Sequence, residues 1–195
     1  TVAFIGDSFT HGACVPPGNN LTAATRDIFP KTVNLGMWSD GPLEELAKLV
    51  EFGPILRPRL VVWVFYHNDV GVSYDANSPL RGYLAPAHVQ NLAERQEEVD
   101  SALRQHHEDL WQEALSKENV RTPWVDFALL RRTRAGLGLQ LRATSEKALN
   151  PINRELFPVV MARARDLVGA WGGELLMVAL PSLQAVIEGN EDHAE

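Results

Sequence analysis

The chain has 195 residues, of which 45% are apolar and 22% are charged, a composition typical of an ordinary globular protein. This balance argues against a disordered chain, a collagen-like repeat or a coiled coil. Its 18 lysines and arginines against 25 aspartates and glutamates leave a formal net charge of −7, which disfavours non-specific binding of nucleic acid.

The two ends of the chain and its single cysteine do not indicate the cellular compartment of the protein. The chain begins at Thr1 without a methionine and enters an apolar strand at once, so we expect residues to precede it in the full-length protein. Cys14 is unable to form an internal disulfide, which leaves both cytoplasmic and extracytoplasmic locations open. The longest apolar run, at 60–66, is too short for a membrane span, which takes roughly 20 residues.

Strands and helices alternate along the predicted structure. Apolar runs closed by glycine, proline or turn residues predict four buried strands, at 2–5, 32–35, 60–66 and 175–180. Helical patterns lie at 42–52, 87–117, 124–134 and 155–171, and the beginning of another lies at 183–188. The sequence therefore predicts an α/β fold, a central parallel sheet covered by helices on both faces, in one domain over 1–195. The mostly helical stretch 71–150 is predicted to be an insertion after the third strand, which we expect to form a lid or a partner surface.

The residues that follow the strands are the candidates for chemistry, because parallel sheets bind ligands outside the carboxyl ends of their strands. Ser8 follows the first strand, where its hydroxyl can point into a cleft and its backbone N–H can stabilise a developing negative charge. An equally good interpretation is that Ser8 caps the next helix, with Asp7 as a turn residue.

Two more candidates follow the second and third strands. Gly36 allows a backbone N–H to approach a bound oxygen closely, or is simply a turn glycine. The amide of Asn68 can donate to an oxyanion, or can instead fasten its loop. Since all three candidates lie at the ends of successive predicted strands, we expect them to share one cleft.

Together these residues resemble the first three sequence blocks of the SGNH (GDSL) hydrolases: Gly6-Asp7-Ser8, Gly36, and Asn68-Asp69. The resemblance implies a flavodoxin-like three-layer sandwich and a serine esterase or acyl-transfer enzyme. It implies that Ser8 is the nucleophile and an oxyanion donor through its backbone N–H, that Gly36 supplies a second backbone N–H, and that Asn68 supplies a side-chain N–H. The family has glycine two residues before the asparagine, whereas this chain has Tyr66.

The family's catalytic aspartate and histidine have no clear counterpart in the chain. The resemblance places them after a fifth strand, so we expect them beyond Glu195. His193, preceded by Asn190 at the expected spacing, is the weaker candidate for the base. His67 neighbours the proposed oxyanion residue and is expected to line the cleft.

The predicted substrate is an acyl ester on a small molecule, a glycan or a lipid. Neither the spacing of metal ligands nor a glycine-rich phosphate loop is present, so the sequence predicts no cofactor and no metal. The main alternative is a non-catalytic ligand- or carbohydrate-binding domain on the same fold. A flavodoxin-like cofactor binder is less favoured, because Asp7 stands where a phosphate would bind.

Overall fold

The computed structural model describes residues 1–66, 69, 74, 77–120, 151–181 and 186. The chain divides into two compact units, Thr1–Gln90 with Lys147–Glu195, and Asn91–Glu146. The first unit contains the sheet and every described candidate residue. The second contains one long helix, α4, at Gln96–Val120.

A four-stranded, all-parallel sheet forms the centre of the first unit, in the order β2-β1-β3-β4. The strands are β1 (Val2–Ile5), β2 (Thr32–Asn34), β3 (Leu60–Phe65) and β4 (Glu174–Ala179). Within the described residues, all four predicted strands are confirmed and the α/β class with them. Because β1 pairs with both β2 and β3, the chain segment that follows β1 lies between those that follow its two neighbours.

The helices of this unit are α1 (Ser8–His11), α2 (Leu21–Arg26), α3 (Pro42–Leu56) and α5 (Pro151–Ala170), with a 3-10 helix at Pro79–Leu84. Helix α3 buries Leu43, Leu46 and Leu49 against the sheet, the face that its apolar periodicity predicts. Helix α5 adds Val160 and Val168 to the same cluster. The other face of the sheet carries a smaller apolar cluster built on β1 and β3.

Several predicted boundaries differ from the structure. Helix α3, predicted at 42–52, continues through Gly53 and Pro54 to Leu56, and Arg57 after it adopts a left-handed conformation. Helix α4 begins nine residues later than predicted, and α5 begins four residues earlier. Helix α2 and the 3-10 helix were not predicted. The helices predicted at 124–134 and 183–188 lie outside the described residues, except for position 186.

The expectation that the fourth strand is buried is wrong. Strand β4 is exposed at four of its six positions and half-buried at the other two, and Leu176 and Met177 each leave about half of their surface in solvent. It pairs only with β3 among the described strands, so it lies at the edge of that sheet. The central strand β3 is buried on both faces, as its continuous apolar run predicts.

Candidate active site

Ser8 is the first residue of α1, one turn of helix that begins directly beyond the end of β1. Gly6 makes the connection with a φ of 153°. A Cβ at this position would lie 2.2 Å from Thr10 Oγ1 and 2.8 Å from the carbonyl oxygen of Val64. Only glycine lets the chain turn this sharply out of the sheet. This turn places the half-buried Ser8 just beyond the carboxyl end of β1.

Asp7 caps α1. The Asp7 side chain is buried, and its Oδ1 accepts a hydrogen bond of 3.0 Å from the backbone N–H of Phe9. The alternative in which Ser8 caps the helix is therefore wrong, because Asp7 holds that position and Ser8 begins the helix.

Gly36 lies against α1. The backbone after β2 continues to pair beyond the strand, since Leu35 donates to the Phe4 carbonyl oxygen and Met37 to that of Gly6, at 2.9 and 3.2 Å. A Cβ on Gly36 would lie 2.6 Å from Thr10 Cβ. The structure thus brings Gly36 beside the helix that carries Ser8.

Asn34, to which the sequence analysis gave no role, fixes this contact. Its Nδ2 donates to the carbonyl oxygen of Thr10 at 2.8 Å, and its Oδ1 accepts from the backbone N–H of Gly36 at 2.9 Å. The same N–H is the predicted oxyanion donor, so in this structure it is already engaged within the protein. In the sequence, only the Asn-x-Gly spacing could have indicated this role of Asn34, because its other partner, Thr10, is 24 residues away.

The third loop is closed by Asp69. Its Oδ2 accepts from the backbone N–H of Tyr66 at 2.8 Å, and its own N–H donates to the Tyr66 carbonyl oxygen at 3.0 Å. The Asp69 side chain is 1% exposed. His67 and the predicted oxyanion residue Asn68 lie outside the described residues. The structure therefore describes this loop at Tyr66, where it leaves β3, and at Asp69, which closes it.

Buried carboxyl groups surround the loops. Burial, with a smaller contribution from the nearby charge of Asp7, raises the pKa of Asp69 to about 7 in spite of the opposing hydrogen bond from the Tyr66 backbone N–H. Glu45 of α3 is fully buried, and burial followed by the charge of Asp69 raises its pKa well above the usual range. The side chain of Trp63 partly opposes this rise in the Glu45 pKa. Within the described residues, Oδ1 of Asp69 has no hydrogen-bond partner. Lys48, the nearby cation, pairs with Asp40.

Two of the described histidines have contacts within the protein. Nδ1 of His11 accepts from the backbone N–H of Trp38 at 3.1 Å, and His88 packs edge-on against the ring of Tyr83. The base candidate His193 lies outside the described residues. No group of three histidine, cysteine or acidic side chains within the described residues is arranged to hold a metal ion.

The arrangement gathers a serine hydroxyl, a helix N-terminus and a glycine loop at one edge of the sheet, the kind of setting in which backbone amides can stabilise an anion. Among the helices that the structure describes, none has the length and apolar character to cross a membrane. No family model, curated protein or solved structure matches the chain.

Proposed function

We propose that the chain is an SGNH-type serine hydrolase that cleaves or transfers the acyl group of an ester. The observation that carries this proposal is the order of the strands. Ser8 follows β1, Gly36 follows β2 and Asp69 follows β3, and β1 lies between the other two. The candidate nucleophile is thus flanked by the two loops from which the resemblance draws its oxyanion donors.

We also propose a flavodoxin-like three-layer arrangement for the sheet and its helices. The order β2-β1-β3-β4 agrees with the first four positions of the 2-1-3-4-5 order of flavodoxin-like sheets. In that arrangement the ligand lies at the carboxyl ends of β1 and β3, which is where Ser8 and Asp69 lie.

In the proposed reaction the Ser8 hydroxyl oxygen attacks the ester carbonyl carbon and gives up its proton to a base. The tetrahedral oxyanion accepts hydrogen bonds from the Ser8 and Gly36 backbone N–H groups and from the Asn68 amide. Collapse of this intermediate breaks the ester C–O bond, and the leaving alcohol takes the proton. Water or a second alcohol then releases the acyl group from Ser8. The base is expected to be a histidine, as the resemblance implies.

For the Gly36 N–H to stabilise the oxyanion, Asn34 Oδ1 must release this N–H or share it with the oxyanion. The 2.9 Å bond to Asn34 Oδ1 leaves room for a three-centre arrangement in which one N–H serves two acceptors. A hydrogen bond to a negatively charged oxygen is stronger than one to a neutral amide oxygen. The oxyanion therefore competes well for this donor as charge develops.

Labelling of the full-length protein with a fluorophosphonate probe tests the proposal. We expect one covalent adduct per chain, located on Ser8 by mass spectrometry, and loss of that adduct in Ser8→Ala. Ser101→Ala, which changes an exposed serine of α4, is the matched control and should label like the wild type. Either no adduct on the folded full-length protein or an adduct that persists in Ser8→Ala would contradict a Ser8 hydrolase.

The second candidate is a non-catalytic ligand-binding domain. The observation that favours it is the Gly36 N–H, which is engaged by Asn34. The labelling experiment separates the two, because a binding domain without an activated serine gives no adduct while remaining folded.

A further inference from the structure

Aromatic side chains form one side of the surface around Ser8. Phe9 comes directly after Ser8 and is 49% exposed. Its ring lies 4.6 Å, between centroids, from the ring of Tyr66 at the end of β3. Tyr66 stands where the SGNH pattern has glycine, so at this position the chain adds apolar surface that the pattern lacks. We call this pair the β3 wall.

Met37 and Trp38 lie on the other side, directly after Gly36. They are 49% and 71% exposed, although their backbones are fixed by hydrogen bonds from Met37 N–H to the Gly6 carbonyl oxygen and from Trp38 N–H to His11 Nδ1. We call this pair the β2 wall. Since β1 lies between β2 and β3, the two walls lie on opposite sides of the strand that leads to Ser8. Large apolar side chains held in solvent beside a candidate nucleophile are typical of a binding site.

The segments around Ser8 offer no cation to an anionic group on the acyl chain. Asp7 and Asp69 are buried beside Ser8, and Glu45 of α3 lies near Asp69. No lysine or arginine occurs at 6–12, at 35–41, or at positions 66 and 69. The Lys48 ammonium group is paired with Asp40. A negatively charged ligand group would lose water beside these segments without gaining a cation from them, which is unfavourable.

We propose that the acyl group of the substrate is uncharged and apolar, and that it binds between the β3 wall and the β2 wall. The inference rests on the proposed function, because it assigns a substrate class to the same site. It excludes esters that carry a carboxylate or phosphate on the acyl chain. It also gives Trp38 the role of a specificity-determining residue.

Isosteric esters with the same p-nitrophenyl leaving group test the charge requirement. The 4-methylpentanoate and the succinate monoester have acyl groups of similar shape and differ in an isopropyl group against a carboxylate. We expect kcat/KM of the full-length protein to be at least about tenfold higher for the 4-methylpentanoate. Equal or faster turnover of the succinate ester would overturn the proposal. So would a preference for the 4-(trimethylammonio)butanoate over its neutral isostere, the 5,5-dimethylhexanoate.

Trp38→Ala tests the apolar wall. We expect this variant to lower kcat/KM for the octanoate ester by about five- to thirtyfold, chiefly through KM, since loss of buried apolar contact is worth about 1–2 kcal/mol. The acetate ester should be turned over at a nearly unchanged rate. Ile28→Ala is the control, because Ile28 is about as exposed as Trp38 but precedes β2, at the end of the strands opposite to Ser8. An equal loss for both esters would overturn the proposal.

The two proposals fail in different ways. If the fluorophosphonate gives no adduct on Ser8, the hydrolase itself is wrong and no ester is turned over. If Ser8 is labelled but the isosteric esters react equally, the hydrolase stands and the substrate class proposed here is wrong.

Discussion

Gly36 lies so close to α1 that any side chain at this position must move the loop that carries it. In Gly36→Ala the new Cβ would lie 2.6 Å from both Cβ and Cγ2 of Thr10, and Thr10 is fully buried. The loop after β2 must then retreat from Ser8, together with its N–H. We expect the rate of fluorophosphonate labelling to fall by about 10²-fold, the usual effect of removing one oxyanion donor.

Gly18→Ala is the control for this substitution, because a Cβ there meets nothing within 4 Å. The labelling rate of this control should equal that of the wild type. A Gly36→Ala protein that folds and labels at the wild-type rate would remove Gly36 from the site.

Helix α3 contacts Trp171, the residue that follows α5, at a position where only glycine fits. Gly53 lies in α3, and a Cβ there would be 2.7 Å from Cη2 of Trp171. The indole ring is held by a 3.0 Å hydrogen bond from its Nε1 to the Pro58 carbonyl oxygen. Although alanine favours a helix over glycine by about 1 kcal/mol, we expect Gly53→Ala to lower the free energy of unfolding by about 1–3 kcal/mol through overpacking.

Gly169 in α5 provides the matched comparison, because a Cβ there meets nothing within 4 Å. Gly169→Ala should raise the free energy of unfolding by up to about 1 kcal/mol, the gain in helix propensity alone. Urea denaturation of both variants measures the difference. Stabilisation by both substitutions would mean that Trp171 does not constrain Gly53.

The same helix illustrates how far the sequence determines the elements. The apolar spacing of Leu43, Leu46 and Leu49 predicts the buried face of α3 correctly, because that signal is local. The Gly53-Pro54 pair predicts an early end, which is wrong because Gly53 is required by a contact with Trp171, more than 100 residues away. Packing against distant residues overrides a local break signal.

In the candidate site too, features that depend on local sequence are predicted, and features that depend on distant residues are not. The position of Ser8 after β1 follows from a local apolar run and its closing glycine, and is predicted. The role of Asn34 depends on Thr10, 24 residues earlier, and is not predicted. The exposure of β4 depends on which strands flank it, so an apolar run alone gives the strand but not its burial.

At the scale of the whole molecule, buried carboxyl groups set how stability depends on pH. Burial raises the pKa of Asp69 to about 7 and that of Glu45 well above its usual value. The folded state therefore binds protons more tightly than the unfolded state, in which an aspartate has a pKa of about 3.9. Stability is fully present below that pH, where both states are protonated, and is lost as the pH rises through the folded pKa.

Urea denaturation between pH 4 and 8 measures this dependence. We expect the free energy of unfolding to fall as pH rises, by up to about 1.4 kcal/mol per pH unit for each carboxyl group that titrates only in the unfolded state. Asp69→Asn should remove the contribution of Asp69 between about pH 4 and 7, since its amide oxygen can still accept from the Tyr66 N–H but carries no charge. Asp166→Asn, which alters an exposed carboxylate of α5 in the same unit, should retain the wild-type slope. A wild-type slope in Asp69→Asn would mean that its carboxyl group ionises in the folded protein as freely as in the unfolded chain, and the Asp69 side chain would then have to be in contact with water.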